Sequence, residues 1–129
     1  MNLFLDGSRE PAEVEDYMSY RIGKDSKIYS NQDWHVVRDF KEFVEWFKLN
    51  PTPETVSFGH DLVEEHYEIV CACGSSEDFP EEFETETGAD CLNWMIEYVN
   101  SKGLELPRCI VHSMNPYGAD KMRNTILNL

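Results

Sequence analysis

Basic residues are missing from the middle of this chain. Between Leu49 and Ser101 there is no lysine or arginine, while 13 aspartates and glutamates fall there, which is nearly all of the net charge of −14. A surface of that sign repels a phosphate backbone and argues against sequence-independent binding to long nucleic acid. It admits a metal ion, a basic protein partner, or a small phosphate held by local donors. Long hydrophobic runs are lacking too. No stretch approaches the roughly 20 apolar residues that cross a bilayer, and no basic segment followed by an apolar one opens the chain. The expectation is a cytoplasmic protein without a membrane segment. Cysteine is sparse: Cys71-Ala72-Cys73 is too tightly spaced for half of a structural zinc pair, and Cys91 and Cys109 lie in apolar patterns. All four read as reduced thiols.

What is present fits one folded domain. A length of 129 residues with 41% hydrophobic side chains buries a core, and we read 1–129 as a single unit with an acidic insertion at about 63–86. Residues 2–6, 34–37, 55–58 and 109–112 read as strands. The stretch from Gly7 to Asp33 is polar and irregular, with a short helix over Glu13–Met18. Asp39 caps a helix whose stripe is Phe40, Phe43, Val44 and Phe47, and Pro51 and Pro53 end it. Gly74–Pro80 reads as a loop. Thr87 caps a helix carrying Cys91, Leu92, Met95, Ile96 and Val99, which Gly103 terminates. Asn115-Pro116-Tyr117-Gly118 turns into a last helix with Met122, Ile126 and Leu127 facing inward. Strand and helix alternate, so the fold class is α/β: a small doubly wound, mostly parallel sheet with helices on both faces.

Three of the strands stop in hydrogen-bonding side chains. The first ends at Asp6, the third at Gly59-His60-Asp61, and the fourth in His112-Ser113-Met114-Asn115. As neighbouring parallel strands they bring these groups to one carboxyl edge, where open α/β sheets place ligands. A carboxylate at Asp6 has three uses: to hold a divalent cation, to orient a histidine, or to cap the following loop. Arg9 is a candidate phosphate clamp, because guanidinium presents a planar fork to phosphate oxygens, or else a surface partner of Glu10 or Glu13. His60 beside Asp61 suits general acid–base chemistry near neutral pH. His112 supplies a second proton-transfer group, and Ser113 and Asn115 are donors for phosphate oxygens. A metal site of His60, His66 and Cys71 or Cys73 is a further combination.

These segments resemble the cyclic-phosphate-processing receiver-like domains found in bacteria and phages. The resemblance rests on Leu3-Phe4-Leu5-Asp6-Gly7-Ser8-Arg9-Glu10-Pro11, Trp34-His35-Val36-Val37-Arg38, Gly59-His60-Asp61-Leu62, Thr87-Gly88-Ala89-Asp90 with Trp94, and His112 through Gly118. It implies a receiver-like fold, a phosphate-recognising pocket, and a magnesium or manganese ion at the acidic strand ends. Gly7 and Gly59 stand where the family pattern carries aspartate, which leaves Asp6 and Asp61 as the metal set, and Ala119 stands where an arginine often follows. The expected function is a phosphoesterase-like domain hydrolysing a small cyclic phosphate or cyclic nucleotide, with His60, His112 and Asp61 catalytic and Arg9, Ser113 and Asn115 on the substrate. The alternatives are a module that binds a phosphate ligand without turnover, and an acidic interaction protein for a basic partner surface.

Overall fold

The computed structural model describes residues 1–72, 80 and 83–129. Four parallel strands, β1 (Asn2–Leu5), β2 (Trp34–Val37), β3 (Thr55–Phe58) and β4 (Arg108–Val111), form one sheet in the order β2-β1-β3-β4. The three strands with polar ends are therefore direct neighbours. In register, Leu5 lies beside Phe58 and Phe58 beside Val111, so the residues that follow, Asp6, Gly59 and His112, emerge together.

Strand alternation sends successive side chains to opposite faces. Leu3, Leu5, Val56, Phe58 and Val111 join the larger core cluster with α3 (Phe40–Leu49), α5 (Gly88–Ser101) and α6 (Pro116–Leu127). Phe4 and Ile110 face the other way, onto Val14 and Met18 of α1 (Pro11–Ile22) and Tyr29 of α2 (Ile28–Asn31). The sheet is covered on both faces, as a doubly wound fold requires.

The segment before β2 is more ordered than its composition predicts. Helix α1 runs to 12 residues, and a 3-10 turn (Gly23–Lys27) joins it to α2. Pro11 is no obstacle there, because it occupies the first turn, where no backbone donor is needed. The Glu13 carboxylate accepts from the Glu10 amide at 2.9 Å, and Val14 and Met18, four residues apart, make the buried stripe. The acidic insertion also begins as a helix, α4 (Glu64–Ala72). The loop read over Gly74–Pro80 lies, Pro80 apart, outside the described residues, as does Cys73. Strands β1 and β4 each stop one residue short of the sequence reading, and the polar residues after them belong to the loops.

Two helix stripes shift. On α3 the buried residues are Phe43, Trp46 and Phe47, with Phe40 only partly buried. On α6, Met122 is buried and Ile126 partly so, but Leu127 is 80% exposed. Leu127 falls one position beyond the Ala119, Met122, Ile126 face and so turns outward. Thr87 does start α5, whose Asp90 accepts from the Thr87 amide, and Gly103, at φ 65°, turns the chain after it. Cys91 and Cys109 are free thiols, and burial raises both pKa values. Among the described residues, no helix is long and apolar enough to cross a membrane.

Candidate functional site

The carboxyl edge carries two hydrogen-bonded groups, one on each side of Gly59. The first is built on Asp6 and His112, both fully buried. His112 lies flat on Phe4, ring centroids 4.4 Å apart and planes 4° from parallel. Its Nε2 is 3.0 Å from Asp6 Oδ2, and its Nδ1 is 2.7 Å from Ser57 Oγ. Ser57 Oγ is in turn 2.7 Å from Tyr29 Oη.

Donor and acceptor rules fix the direction of this chain. Burial lowers the His112 pKa, outweighing the bond and charge of Asp6, so the ring is neutral near pH 7. The carboxylate only accepts, so Nε2 carries the proton and donates it to Asp6. Nδ1 then accepts from the Ser57 hydroxyl, which accepts from Tyr29. Burial pushes the Tyr29 pKa up to about 12, which keeps its phenol protonated for that role. Asp6 is ionised: burial alone would raise its pKa, but the bonds from His112 and from the Ser8 and Arg9 amides hold it below the ordinary carboxylate range.

Asp6 also fastens Arg9. Oδ1 accepts from the amides of Ser8 (3.0 Å) and Arg9 (2.8 Å), and Oδ2 from Arg9 Nε (3.0 Å) as well as from His112. Arg9 Nη1 donates to Tyr17 Oη at 3.0 Å, and Tyr17 Oη donates to the His112 carbonyl at 2.6 Å. The guanidinium is thus held at two points while its side chain keeps 23% exposure. Arg9 pairs with Asp6, and the alternative pairing with Glu10 or Glu13 does not form. Arg38 bridges to Glu10 instead, and its Nη1 donates to the carbonyls of Asp6 and Arg9. Arg21 donates to the Ser113 carbonyl at 2.8 Å.

The second group is His60, Asp61 and Asn115. His60 Nδ1 and Asn115 Nδ2 both reach Asp61 Oδ1, at 2.9 and 3.0 Å. Since that oxygen only accepts, His60 carries its proton on Nδ1, and Nε2 is its basic nitrogen. The 3.4 Å approach of Asn115 Nδ2 to His60 Nδ1 is then two donors sharing one acceptor. Asn115 Oδ1 caps α6 by accepting from the Tyr117 and Gly118 amides, and Ser113 Oγ accepts from the Asn115 amide. His66 lies beside this group, its ring centroid 6.5 Å from that of His60, and it accepts from the Leu62 amide and meets the Thr85 carbonyl. The side chain of Phe83 packs edge-on against both His60 and His66.

A divalent metal does not fit this donor set. Four N–H donors fill the lone pairs of Asp6, and Asp61 Oδ1 already takes two. A side chain at Gly7 would place its Cβ 2.4 Å from the Leu62 carbonyl oxygen, and one at Gly59 would stand 3.3 Å from Asp6 Oδ2. The main chain of Leu62 thus occupies the room of the first missing aspartate. Among the described residues no three His, Cys, Asp or Glu side chains converge for a metal. His60, Asp61, His112, Ser113, Asn115, Asp6 and Arg9 all lie on this edge. Ser57, Tyr29, Tyr17, Arg21 and Arg38 were assigned no part from sequence. The signals available were the Ser57 hydroxyl between the apolar Val56 and Phe58, and Arg38 at the end of the Trp34-His35-Val36-Val37-Arg38 motif.

A family model described as the cyclic-phosphate processing receiver domain matches residues 1–128. The chain belongs to that family. No curated protein and no solved structure matches it. Within this receiver domain each of the two groups holds one carboxylate, Asp6 or Asp61, bonded to a histidine.

Proposed function

We propose that this receiver domain captures a small cyclic phosphate, such as a cyclic nucleotide or a cyclic nucleotide terminus, at the carboxyl edge of its sheet and hydrolyses it. Arg9 carries the reading. It is a cation whose orientation is fixed by Asp6 and Tyr17, yet it reaches the surface with N–H donors still to give. A planar, pre-oriented guanidinium suits a phosphate diester, and Arg38 and Arg21, bonded to the carbonyls of Asp6, Arg9 and Ser113, add positive charge nearby. The Ser113 hydroxyl supplies a second donor.

His60 is the proton-transfer group. Asp61 holds Nδ1–H, which presents Nε2 as the base. Water adds to phosphorus and gives its proton to Nε2, one ring P–O bond breaks, and the imidazolium returns a proton to the departing oxygen. The product is a ring-opened monoester. His112 takes no proton in this scheme, because both its ring nitrogens are committed. It is a positioning residue for Asp6, and through Asp6 for Arg9. Asn115 likewise positions Asp61.

A second reading is capture without turnover. His60 is only 1% exposed, so hydrolysis requires the loops above it to admit both ligand and water. Calorimetry with nucleoside 2′,3′-cyclic phosphates, ADP-ribose cyclic phosphate and cyclic dinucleotides tests the shared part of both readings. One panel member should bind, and Arg9→Gln should weaken it by roughly 10- to 100-fold, the worth of a charged hydrogen bond. Equal affinity in a folded Arg9→Gln protein would overturn the phosphate site.

A further inference from the structure

Among the described residues the sheet ends at β4, and a groove runs along the side of β4 away from β3. The groove has a volume of about 670 Å³, and all four residues of β4 line it. One wall comes from α1 through Met18, Arg21 and Ile22, and the other from α6 through Ala119, Arg123 and Ile126. The five-strand form of this fold, ordered 2-1-3-4-5, places a further strand here.

The backbone of β4 is laid out to receive one. The Arg108 and His112 amides donate inward, to the carbonyls of Glu54 and Phe58 on the β3 side. By the two-residue period, the N–H and C=O of Cys109 and Val111 point outward into the groove. Such an edge is a template for another strand unless charge or a covering element blocks it. Here the rim is both apolar and cationic. Met114 and Leu127 line the groove with 60% and 80% exposure. Arg21, Arg108 and Arg123 border it against a single carboxylate, Asp120. Arg108 and Arg123 touch only exposed acids, Asp25 and Asp120, at 3.5 and 3.4 Å, pairings worth little in water.

We propose that this edge docks an extended peptide segment of a partner protein, one in which apolar residues alternate with or are flanked by aspartate and glutamate. The segment adds a fifth strand to β4. Its main chain pairs with Cys109 and Val111, alternate side chains enter the α1 and α6 walls, and its acidic groups meet the three arginines. A second copy of this acidic chain is disfavoured as occupant by its own net charge of −14.

The test is selection from a displayed library of random 12-residue peptides on the whole domain, followed by fluorescence anisotropy and amide hydrogen exchange with the enriched peptides. Enriched sequences should carry alternating apolar and acidic residues and slow exchange at Cys109 and Val111. They should bind about tenfold more weakly to the double variant Arg108→Glu, Arg123→Glu. Both positions are surface exposed, so circular dichroism should show that variant folded. A variant that fails to fold is replaced by peptides N-methylated at alternate residues, which should lose binding in one register only. Failure to enrich any such peptide, protection elsewhere than β4, or indifference to both perturbations would overturn the proposal. So would a concentration-dependent dimer abolished by the double variant, which would assign the edge to a second copy.

Discussion

Acid should loosen this fold through a single buried ring. His112 is fully buried on Phe4 between Asp6 and Ser57, and burial lowers its pKa from 6.5. Below pH 6.5 the unfolded chain binds a proton at this position that the folded chain refuses. Stability therefore rises with pH up to the unfolded value and is lost as pH falls from about 6.5 toward the folded value. Between the folded and unfolded values, one refused proton is worth up to about 1.4 kcal/mol per pH unit. For a domain of 129 residues with an unfolding entropy of about 2.1 cal/mol/K per residue, that is roughly 5 °C of Tm per pH unit. Asp6 adds nothing in this window, because its folded pKa lies below the ordinary 3.8 and its contribution is lost only on further acidification. The excess of carboxylates acts in the opposite sense, since protonation relieves repulsion, but it is common to wild type and variant. The assay is differential scanning calorimetry of wild type and His112→Gln between pH 7 and pH 5.5. The variant should melt lower at neutral pH, and the gap between the two proteins should narrow on acidification, by no more than about 5 °C per pH unit. A gap that stays constant across the range would mean that the folded ring titrates like a solvated one, and would refute the neutral, buried assignment.

Other outcomes follow from the same geometry. Ser57→Ala strands His112 Nδ1 without a donor and Tyr29 without an acceptor, and should cost about 1–3 kcal/mol in urea unfolding, against about 1 kcal/mol for Tyr29→Phe. The double variant should cost less than the sum of the two, because the three groups form one chain. Gly118→Ala would set a Cβ 2.4 Å from the His60 ring. It should destabilise by about 1–3 kcal/mol and should reduce turnover more than ligand affinity, read as kcat against Kd. Gly7→Asp, which restores the family's acid, should lower the Tm because Leu62 occupies its room, and excess magnesium or manganese should not restore it.

Most of the architecture was legible because it is written in local pattern. Apolar runs of strand length, each ending in polar residues, pointed to parallel strands whose polar ends share one edge, and the Asn115-Pro116-Tyr117-Gly118 turn announced α6. What stayed hidden depends on distant partners. Ser57 meets Tyr29 across 28 residues and His112 across 55, and neither spacing leaves a periodic trace. Arg9 read as a phosphate clamp or a surface partner of Glu10 or Glu13, while Asp6, the buried carboxylate that it pairs with, was not foreseen as its partner. Helix α1 was underestimated because its polar faces outnumber a stripe of only Val14 and Met18. His112 looked like a reacting group from its place at a strand end. The contacts at both ring nitrogens, with Asp6 and Ser57, lie 106 and 55 residues away in sequence and had no local trace.

The account's central claim is that the carboxyl edge recognises and opens a cyclic phosphate, with His60 moving the proton. Phosphorus NMR of the wild-type domain with the cyclic-phosphate panel, repeated with His60→Ala, tests it most directly. The account predicts a ring-opened monoester from at least one panel member, and His60→Ala should keep that ligand's shifted resonance while losing the product. Neither a shifted resonance nor a product with any member would contradict the phosphate site itself. A product formed equally well by His60→Ala would contradict the role assigned to His60.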